Sequence, residues 1–391
     1  MSTHSHDVVV VGGGPAGSSA ARRAAQLGLS VLLLEKKTMP RRKPCGGALS
    51  EQALSYLGLD VPRHLINSEC YGARLHFAGR TLSCRKSERI AVLVTRARFD
   101  HYLLEEARAA GCDVRFAEAR AIEQDADGVT VTTPTESYRA SFAIVAVGAT
   151  GTLISSVRRR DGSGERAFSM EAEIPVAVRN HAAESDGLID IRFGVARYGY
   201  GWVFDHRSYH SVGVGGMQSR FDSPRETMRG FLESLGYPPD PPGIRGHFIP
   251  AGGIKRRTAS GRVLLAGDSG GFVDSFYGEG LAYAIRSGQL AAEVTHRYSN
   301  ERHIGAHVQR AYSQRCREEF ERDLGYSLLF TRLMHFCPSL FLRLLVCDKR
   351  FLAKFLDIPL RHTTYRRFLL WMLPRLPLLF GKLVSQQLKK R

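Results

Sequence analysis

The sequence predicts an α/β protein: a Rossmann-like parallel-sheet unit, an antiparallel sheet inserted into it, and a helical C-terminal region. Three observations lead there. An apolar strand runs directly into Gly12-Gly13-Gly14-Pro15-Ala16-Gly17 and a helix of small residues. Short runs between 71 and 216 have the texture of antiparallel strands with polar turns. After about Asn300 the pattern is helical, broken by Pro338, Pro359, Pro374 and Pro377.

Taken in order, Asp7 to Val11 is the first strand, Ser18 to Leu27 a helix that Gly28 ends, and Ser30 to Leu34 a second fully apolar strand closed by Glu35. Helices are expected at Ser50 to Leu57 and Arg96 to Ala110, and strands at Val114 to Phe116, Gly128 to Thr132 and Phe142 to Val147. The second sheet is expected from Tyr71 to Leu82, Phe168 to Val178, Leu188 to Phe193, Tyr200 to Asp205 and Ser211 to Gly216. Asp222 to Gly236 reads as a helix covering one face of that sheet, with Ser223, Pro224 and Glu226 matching cap, first-turn proline and capping box. Arg262 to Ala266 is another buried strand, and a glycine-rich turn leads into a helix from about Gly280 to Val294. The expected division is discontinuous: 1–68, 92–160 and 250–300 for the nucleotide-binding unit, 69–91 and 161–249 for the second sheet, and 301–391 for the helical region.

Composition is that of a globular chain, with 391 residues, 43% hydrophobic and 24% charged. The net charge of +17 is concentrated: Phe341 to Arg391 holds twelve basic and two acidic residues, ending in Lys389, Lys390 and Arg391. Basic residues interleaved with Leu, Phe and Trp suit an anionic membrane surface better than a phosphate backbone, so nucleic acid is not an expected partner. No run is long enough to span a bilayer, and Met1 to His6 lacks the features of a secretory signal, so a cytoplasmic, peripheral location is expected. Seven cysteines without a CxxC pair read as free thiols, and fourteen histidines without HExxH offer no metal site. Arg158-Arg159-Arg160 reads as a solvated charge run.

Two distant elements carry the chemistry. Gly12-x-Gly14-x-x-Gly17 lies between strand and helix, and Glu35 follows Gly17 by 18 residues, near the spacing of about 20 for a ribose-binding acid. Glycines let the backbone approach a pyrophosphate, the helix N-terminus meets its charge, and Glu35 accepts from the adenosine ribose. The second element runs from Arg262 through Gly267-Asp268 to Gly278-Glu279-Gly280-Leu281. A carboxylate just past a strand suits a ribityl chain, and the following helix aims its N–H groups at flavin N1 and O2. Together they indicate FAD rather than NAD.

With these residues in view, the chain resembles the geranylgeranyl reductase family, a branch of the FAD-dependent, p-hydroxybenzoate hydroxylase-like flavoproteins. The resemblance covers about residues 6 to 300. It rests on the glycine loop, Glu35, Lys43-Pro44-Cys45-Gly46-Gly47, Arg96-x-x-Phe99-Asp100 and the Gly267-Asp268 to Gly280-Leu281 run, of which Cys-Gly-Gly is the most specific. It implies that Gly12, Gly14, Ala16, Gly17, Glu35, Arg96, Ala119, Asp268, Gly280 and Leu281 contact FAD. Cys45 and Gly46 would lie beside the isoalloxazine as the catalytic turn. The family's Pro-x-x-Tyr-x-Trp-x-Phe-Pro substrate motif is matched by Tyr200, Trp202 and Phe204, while Arg197 and Asp205 replace its prolines. Alternation along a strand puts the three aromatic side chains on one face.

The expected activity is reduction of isolated carbon–carbon double bonds in an isoprenoid chain borne by a diphosphate, lipid or quinone. An isolated alkene is a poor hydride acceptor, so a proton donor must assist; a thiol of ordinary pKa, about 8.5, is mostly protonated at neutral pH. The expectation is that reduced flavin N5 gives hydride to one alkene carbon while Cys45 protonates or positions the other. The competing reading is a flavin-dependent monooxygenase, a hydroxylase or a halogenase-like enzyme, acting on an aromatic or lipophilic substrate. The halogenase stretch Trp-x-Trp-x-Ile-Pro is absent, while a hydroxylase stays open. No second glycine fingerprint marks the electron donor, which is NAD(P)H or a ferredoxin-like protein, and the oligomeric state is not legible.

Overall fold

A computed structural model describes residues 4–178, 186–252, 256–299, 301, 305–336, 338–375 and 377. At its centre is a sheet whose parallel core runs in the order Val263–Leu265, Ser137–Val145, His4–Val11, Val31–Glu35 and Asp113–Phe116. Val8 to Val10 and Leu32 to Leu34 are shielded on both faces, the environment that selects continuous branched apolar runs. Helix α1 (Pro15–Gln26) lies against this sheet, and its small residues set how closely. A Cβ on Gly17 would stand 1.8 Å from the Gly12 carbonyl oxygen. The helix that packs most intimately on α1 uses the same device: a Cβ on its Gly288 would stand 2.1 Å from the Ala16 carbonyl oxygen.

Two further helices, α2 (Glu51–Leu57) and α3 (Arg96–Ala109), complete this side of the molecule. Ser50 caps α2 through its side chain, and Gly58, with φ of 65°, ends it in the left-handed conformation.

The second sheet has seven strands, in the order Arg245–Ile249, Ala167–Pro175, Tyr209–Met217, Gly199–Asp205, Leu188–Phe193, Gly72–Phe77 and Arg80–Arg85. It is mixed, not wholly antiparallel as the sequence suggested: Leu188–Phe193 pairs in parallel with Gly72–Phe77. Those two strands are joined by more than a hundred residues that pass through the first sheet, so no hairpin fixes their direction. The run from Tyr71 to Leu82 is a hairpin rather than one strand, turned at Ala78-Gly79, both with positive φ. Ile66–Cys70 and Ala91–Val94 form a small third sheet with Ala48–Ser50.

Helix α4 (Pro224–Ser234) covers one face of the second sheet, burying Met228, Phe231 and Leu232 against Ala172, Val212 and Val214. The expected capping box is not formed. Ser223 makes no side-chain cap bond, and its carbonyl instead accepts the Thr227 N–H at 3.0 Å. The other face of the sheet looks toward the first domain across a cavity.

Helix α5 (Leu281–Tyr298) returns the chain to the first sheet. The C-terminal region follows as α6 (Gly305–Cys316), a π-helical turn over Arg317–Glu321, α7 (Arg322–Phe336), α8 (Pro338–Leu345), α9 (Lys349–Phe355) and α10 (Tyr365–Met372). Pro338 sits in the first turn of α8, where a missing N–H costs nothing. Leu345, Phe351, Leu352, Tyr365, Phe368 and Met372 are buried in one core with Ala73, Leu75 and Cys84 of the second sheet. The apolar residues of the basic segment are thus largely consumed by packing. Lys349, Arg350, Arg366, Arg367 and Arg375 stay exposed, and Lys389, Lys390 and Arg391 lie outside the described residues. Exposed apolar side chains gather instead on α7, at Leu329, Leu333 and Phe336, and on and just past α10, at Leu370 and Leu373. Among the described residues no single helix is long and apolar enough to cross a membrane.

One charged run departs from expectation. Arg159 and Arg160 are exposed, but the Arg158 side chain is only 8% exposed, and with Arg256 it grips the Asp161 carboxylate at 2.7 and 3.0 Å, respectively. It also donates to the Ser269 carbonyl at 3.1 Å, a partner far along the chain that local charge density does not reveal.

Candidate active site

The cavity between the sheets has a volume of about 940 Å³ and reaches from the first glycine loop to the C-terminal helices. At one end are Gly12, Gly14, Pro15, Ala16, Glu35 and Ala119. Gly14 is the N-cap of α1 and offers no side chain, so the N–H groups of Ala16 and Gly17 begin the helix without a side-chain partner. Such a terminus favours an anion. A Cβ on Gly14 would meet only Arg41, at 3.5 Å, so the space beside it is open. Glu35 is buried and anchored: one carboxylate oxygen accepts the Gly13 N–H at 2.7 Å, the other the Lys37 N–H at 2.9 Å. Its remaining lone pairs are available to ribose hydroxyls. These features fit a dinucleotide.

Midway along the cavity lies the Cys45-Gly46-Gly47 turn. Gly47 has φ of 74°, and its carbonyl accepts the Val94 N–H at 2.9 Å, tying the turn to the small third sheet. The Gly47 N–H points to Cys45 Sγ at 3.4 Å. Gly46 is glycine for a steric reason: a Cβ there would be 2.5 Å from the Phe204 ring. Its carbonyl accepts from His206 Nε2 at 3.0 Å, while Asn67 Nδ2 donates to His206 Nδ1 at 3.0 Å. Burial pushes the His206 pKa down to about 4, so the ring is neutral and this tautomer is fixed by its partners.

Arg96 opens α3 and is held by Asp100 through two bonds of 2.7 and 2.9 Å. Burial opposes its charge, but Asp100 and the Cys45 sulfur outweigh burial and raise its pKa. A permanent cation therefore stands beside the thiol.

Across the cavity, Tyr200, Trp202 and Phe204 share one face of the Gly199–Asp205 strand, with successive ring centroids 6.3 and 6.4 Å apart. The Tyr200 hydroxyl donates to the Tyr277 carbonyl at 2.6 Å, and Trp202 Nε1 donates to Ser211 Oγ at 3.3 Å. The face is graded. On one side of these rings lie Glu171 and His247; on the other lie Ile189, Ile191 and Phe193, followed by Ala73 and Leu75. Beyond them the wall is closed by Phe276, Leu345, Leu352 and Phe355.

The polar side is a coupled cluster. Lys43 Nζ is 2.5 Å from His247 Nε2, which is 3.8 Å from Asp268 Oδ2. Burial would raise the Asp268 pKa, but His247 and Lys43 outweigh it and keep the carboxyl below its ordinary range. Burial in turn brings Lys43 down to about 8 despite Asp268. Burial also pushes Glu171 up to about 7, with Glu173 adding to the rise and Arg42 opposing it.

Every residue expected to contact cofactor or substrate, except Gly17, lines this one cavity. Gly17 serves packing, through its contact with Gly12. Sequence reading did not assign roles to Lys43, Glu171, His206 or His247, nor to Leu345, Leu352 and Phe355. Lys43 stood inside a quoted motif, but His206 and His247 join the site only through the second sheet, and no local pattern marks them.

Residues 5–184 match a family model described as FAD binding domain. The chain is 31% identical over 305 residues to geranylgeranyl diphosphate reductase of Rhodobacter capsulatus, covering 74% of each chain. It is 30% identical over 324 residues to menaquinone reductase of Mycobacterium tuberculosis, covering 74% of this chain and 76% of that one. Its fold is similar to that of a geranylgeranyl bacteriochlorophyll reductase-like protein from Thermoplasma acidophilum, with a TM-score of 0.78, 23% identity and 92% of each chain covered. The glycine loop, the Gly-Asp turn and the two-sheet cavity are thus those of a flavoenzyme whose cofactor is FAD, and the chain belongs to the geranylgeranyl reductase family of FAD-dependent oxidoreductases.

Proposed function

We propose that this enzyme reduces isolated carbon–carbon double bonds in a long isoprenoid chain carried on a diphosphate, a lipid or a quinone. The observation that carries the reading is the continuity of one cavity from the Cys45-Gly46 turn into an arm walled by aliphatic and aromatic side chains. Such an arm accepts hydrocarbon and gives polar groups no partner. Relatives named for geranylgeranyl diphosphate and for menaquinone support a prenyl substrate.

In this reading Gly12, Gly14, Ala16, Glu35 and Ala119 hold the adenosine and pyrophosphate, and Asp268, Gly280 and Leu281 hold the ribityl chain and flavin ring. Bound and reduced, FAD supplies the hydride. Cys45 supplies the proton to the other alkene carbon, and the Arg96 guanidinium stabilises the thiolate left behind. His206 fixes the Gly46 carbonyl and so the direction of the turn. Tyr200, Trp202 and Phe204 hold the chain against the turn and exclude water.

The electron donor we assign to NAD(P)H or a ferredoxin-like protein. A peripheral position on an anionic membrane is supported by the exposed apolar residues of α7 and α10 beside Arg332, Arg366, Arg367 and Arg375. The decisive experiment is lipid extraction and mass spectrometry of cells with and without the gene. Each reduced double bond adds two hydrogens, so the substrate shifts by about 2 mass units per bond, and unchanged isoprenoid lipids would overturn the proposal.

A further inference from the structure

The apolar arm has a floor, and the floor comes from a segment that the sequence pattern alone assigned to the membrane. Helix α9 turns Leu352 and Phe355 into the cavity, opposite Ile189 and Ile191 on the strand next to the aromatic one. Phe355 is held from both sides. Its ring lies 5.1 Å from Phe276, in the turn that begins with Asp268, and 5.7 Å from Phe368 of α10, which is fully buried. Hydrocarbon therefore meets a packed aromatic core there, and a core packed at crystal density does not yield to one more branched unit without strain.

We infer that Phe355 and Leu352 form a stop for the far end of the isoprenoid chain, and so determine which double bond comes to rest beside Cys45. This rests on the proposed prenyl reductase activity and specifies it further. The arm beyond the aromatic strand is walled by Ala73, Leu75, Ile189, Ile191, Leu352 and Phe355, so the hydrocarbon end enters first and the polar head stays on the side of Lys43 and His247. A stop at the far end counts prenyl units from the tail. Chains of different length then place the same tail-end double bond at the thiol, while the head of a longer chain is left further out. Head-group identity becomes secondary to the length of chain beyond the reacting bond.

The test uses the full-length, FAD-loaded enzyme with farnesyl, geranylgeranyl and geranylfarnesyl diphosphates as probes, reading kcat/KM for each and locating the reduced bonds by tandem mass spectrometry. For the unmodified enzyme we expect the same tail-end position in every chain that reacts. Phe355→Ala deepens the arm and moves reduction one unit toward the head. Ile191→Phe shortens the arm from the sheet side without a substitution in α9, moves reduction toward the tail in every probe, and lowers kcat/KM at the original bond by about tenfold or more, the discrimination a hydrophobic pocket gives for small volume changes. Should Phe355→Ala not fold, the Ile191→Phe result stands by itself. Reduction of prenyl chains with the bond position unchanged in the folded variants would overturn the stop while leaving prenyl reduction intact. Failure of the unmodified enzyme to reduce any of the three, or a geranylgeranyl lipid or prenylated quinone supplied in their place, would bring down the underlying function and the stop with it.

Discussion

The hydroxyl of Tyr365 donates to the Asp274 carboxylate at 3.1 Å, joining α10 to the turn that carries Asp268 and Gly280. Three other groups donate to the same oxygen: the N–H groups of Phe276 and Tyr277 at 2.8 and 3.1 Å, and Ser327 Oγ at 2.8 Å. The second oxygen is buried without a hydrogen-bond partner. Burial pushes the Asp274 pKa up to about 7, with the four donors opposing the rise. The C-terminal helices and the turn that carries Asp268 and Gly280 are thus coupled through one carboxyl.

Because the folded pKa of Asp274 lies above its ordinary value of 3.8, its stabilising effect is complete below that value and declines as pH rises toward about 7. Asp274→Asn keeps the shape and removes the titration. The variant should gain thermal stability relative to the unmodified protein between pH 5 and pH 8, by about 1.4 kcal/mol for each tenfold difference in proton affinity between the folded and unfolded chain. Parallel melting curves for the two proteins at every pH would contradict this. Tyr365→Phe should cost about 1 kcal/mol, measured by chemical denaturation.

His206 gives the opposite dependence. Its folded pKa of about 4 lies below the ordinary 6.5, so its contribution is present above pH 6.5 and is lost as pH falls toward 4. His206→Asn can still meet Gly46 but cannot titrate. Thermal stability of the unmodified enzyme should fall more steeply than that of the variant between pH 6.5 and pH 4. Melting curves for both across that range decide it.

Cys45→Ala removes the proposed proton donor without adding volume. Alkene reduction in a single turnover should drop about 100-fold or more, the usual scale of general acid catalysis, while bound FAD and its absorbance are retained. Cys45→Ser, a weaker acid of similar shape, should fall in between. Full turnover in both variants would remove Cys45 from the mechanism.

Two glycine substitutions separate cofactor binding from substrate positioning. Gly17→Ala forces a Cβ to within 1.8 Å of the Gly12 carbonyl oxygen, backbone that cannot move aside, so the purified protein should be colourless or unfolded. Gly46→Ala meets the Phe204 ring instead, which can rotate away. That variant should fold and stay yellow, with stability lowered by about 1–3 kcal/mol and prenyl turnover lost.

Exchanging Arg366 and Arg367 for Glu tests the membrane surface. Sedimentation with vesicles containing anionic lipid should weaken, by about 1 kcal/mol for each cation near the surface, and be sensitive to salt. Turnover of a detergent-solubilised substrate should be unaffected. Equal sedimentation before and after the exchange would exclude this face.

Local order identified the cofactor. Gly12 to Gly17, Glu35 and the Gly267-Asp268 turn are each read from a strand, a tight turn and a helix start within a few residues, and the physical demands on those residues are met by near neighbours. The aromatic face of Tyr200, Trp202 and Phe204 was legible for the same reason, since alternation along one strand fixes it. The parallel pairing of Leu188–Phe193 with Gly72–Phe77 was not, because its partners are far apart in sequence and no turn constrains their direction.

What the sequence by itself determined is therefore the parts that line the centre: two flavin-binding turns, the Cys45-Gly46-Gly47 turn and an aromatic strand, each set by local order. What only the tertiary structure decided is the shape of the space around them. His206 and His247 reach the site across the second sheet, and Leu352 and Phe355 turn from a basic segment far along the chain into the end wall of the cavity. A helix of mixed apolar and basic residues buries its apolar side wherever one is offered, in lipid or in protein, and that choice is made by what the rest of the chain places beside it.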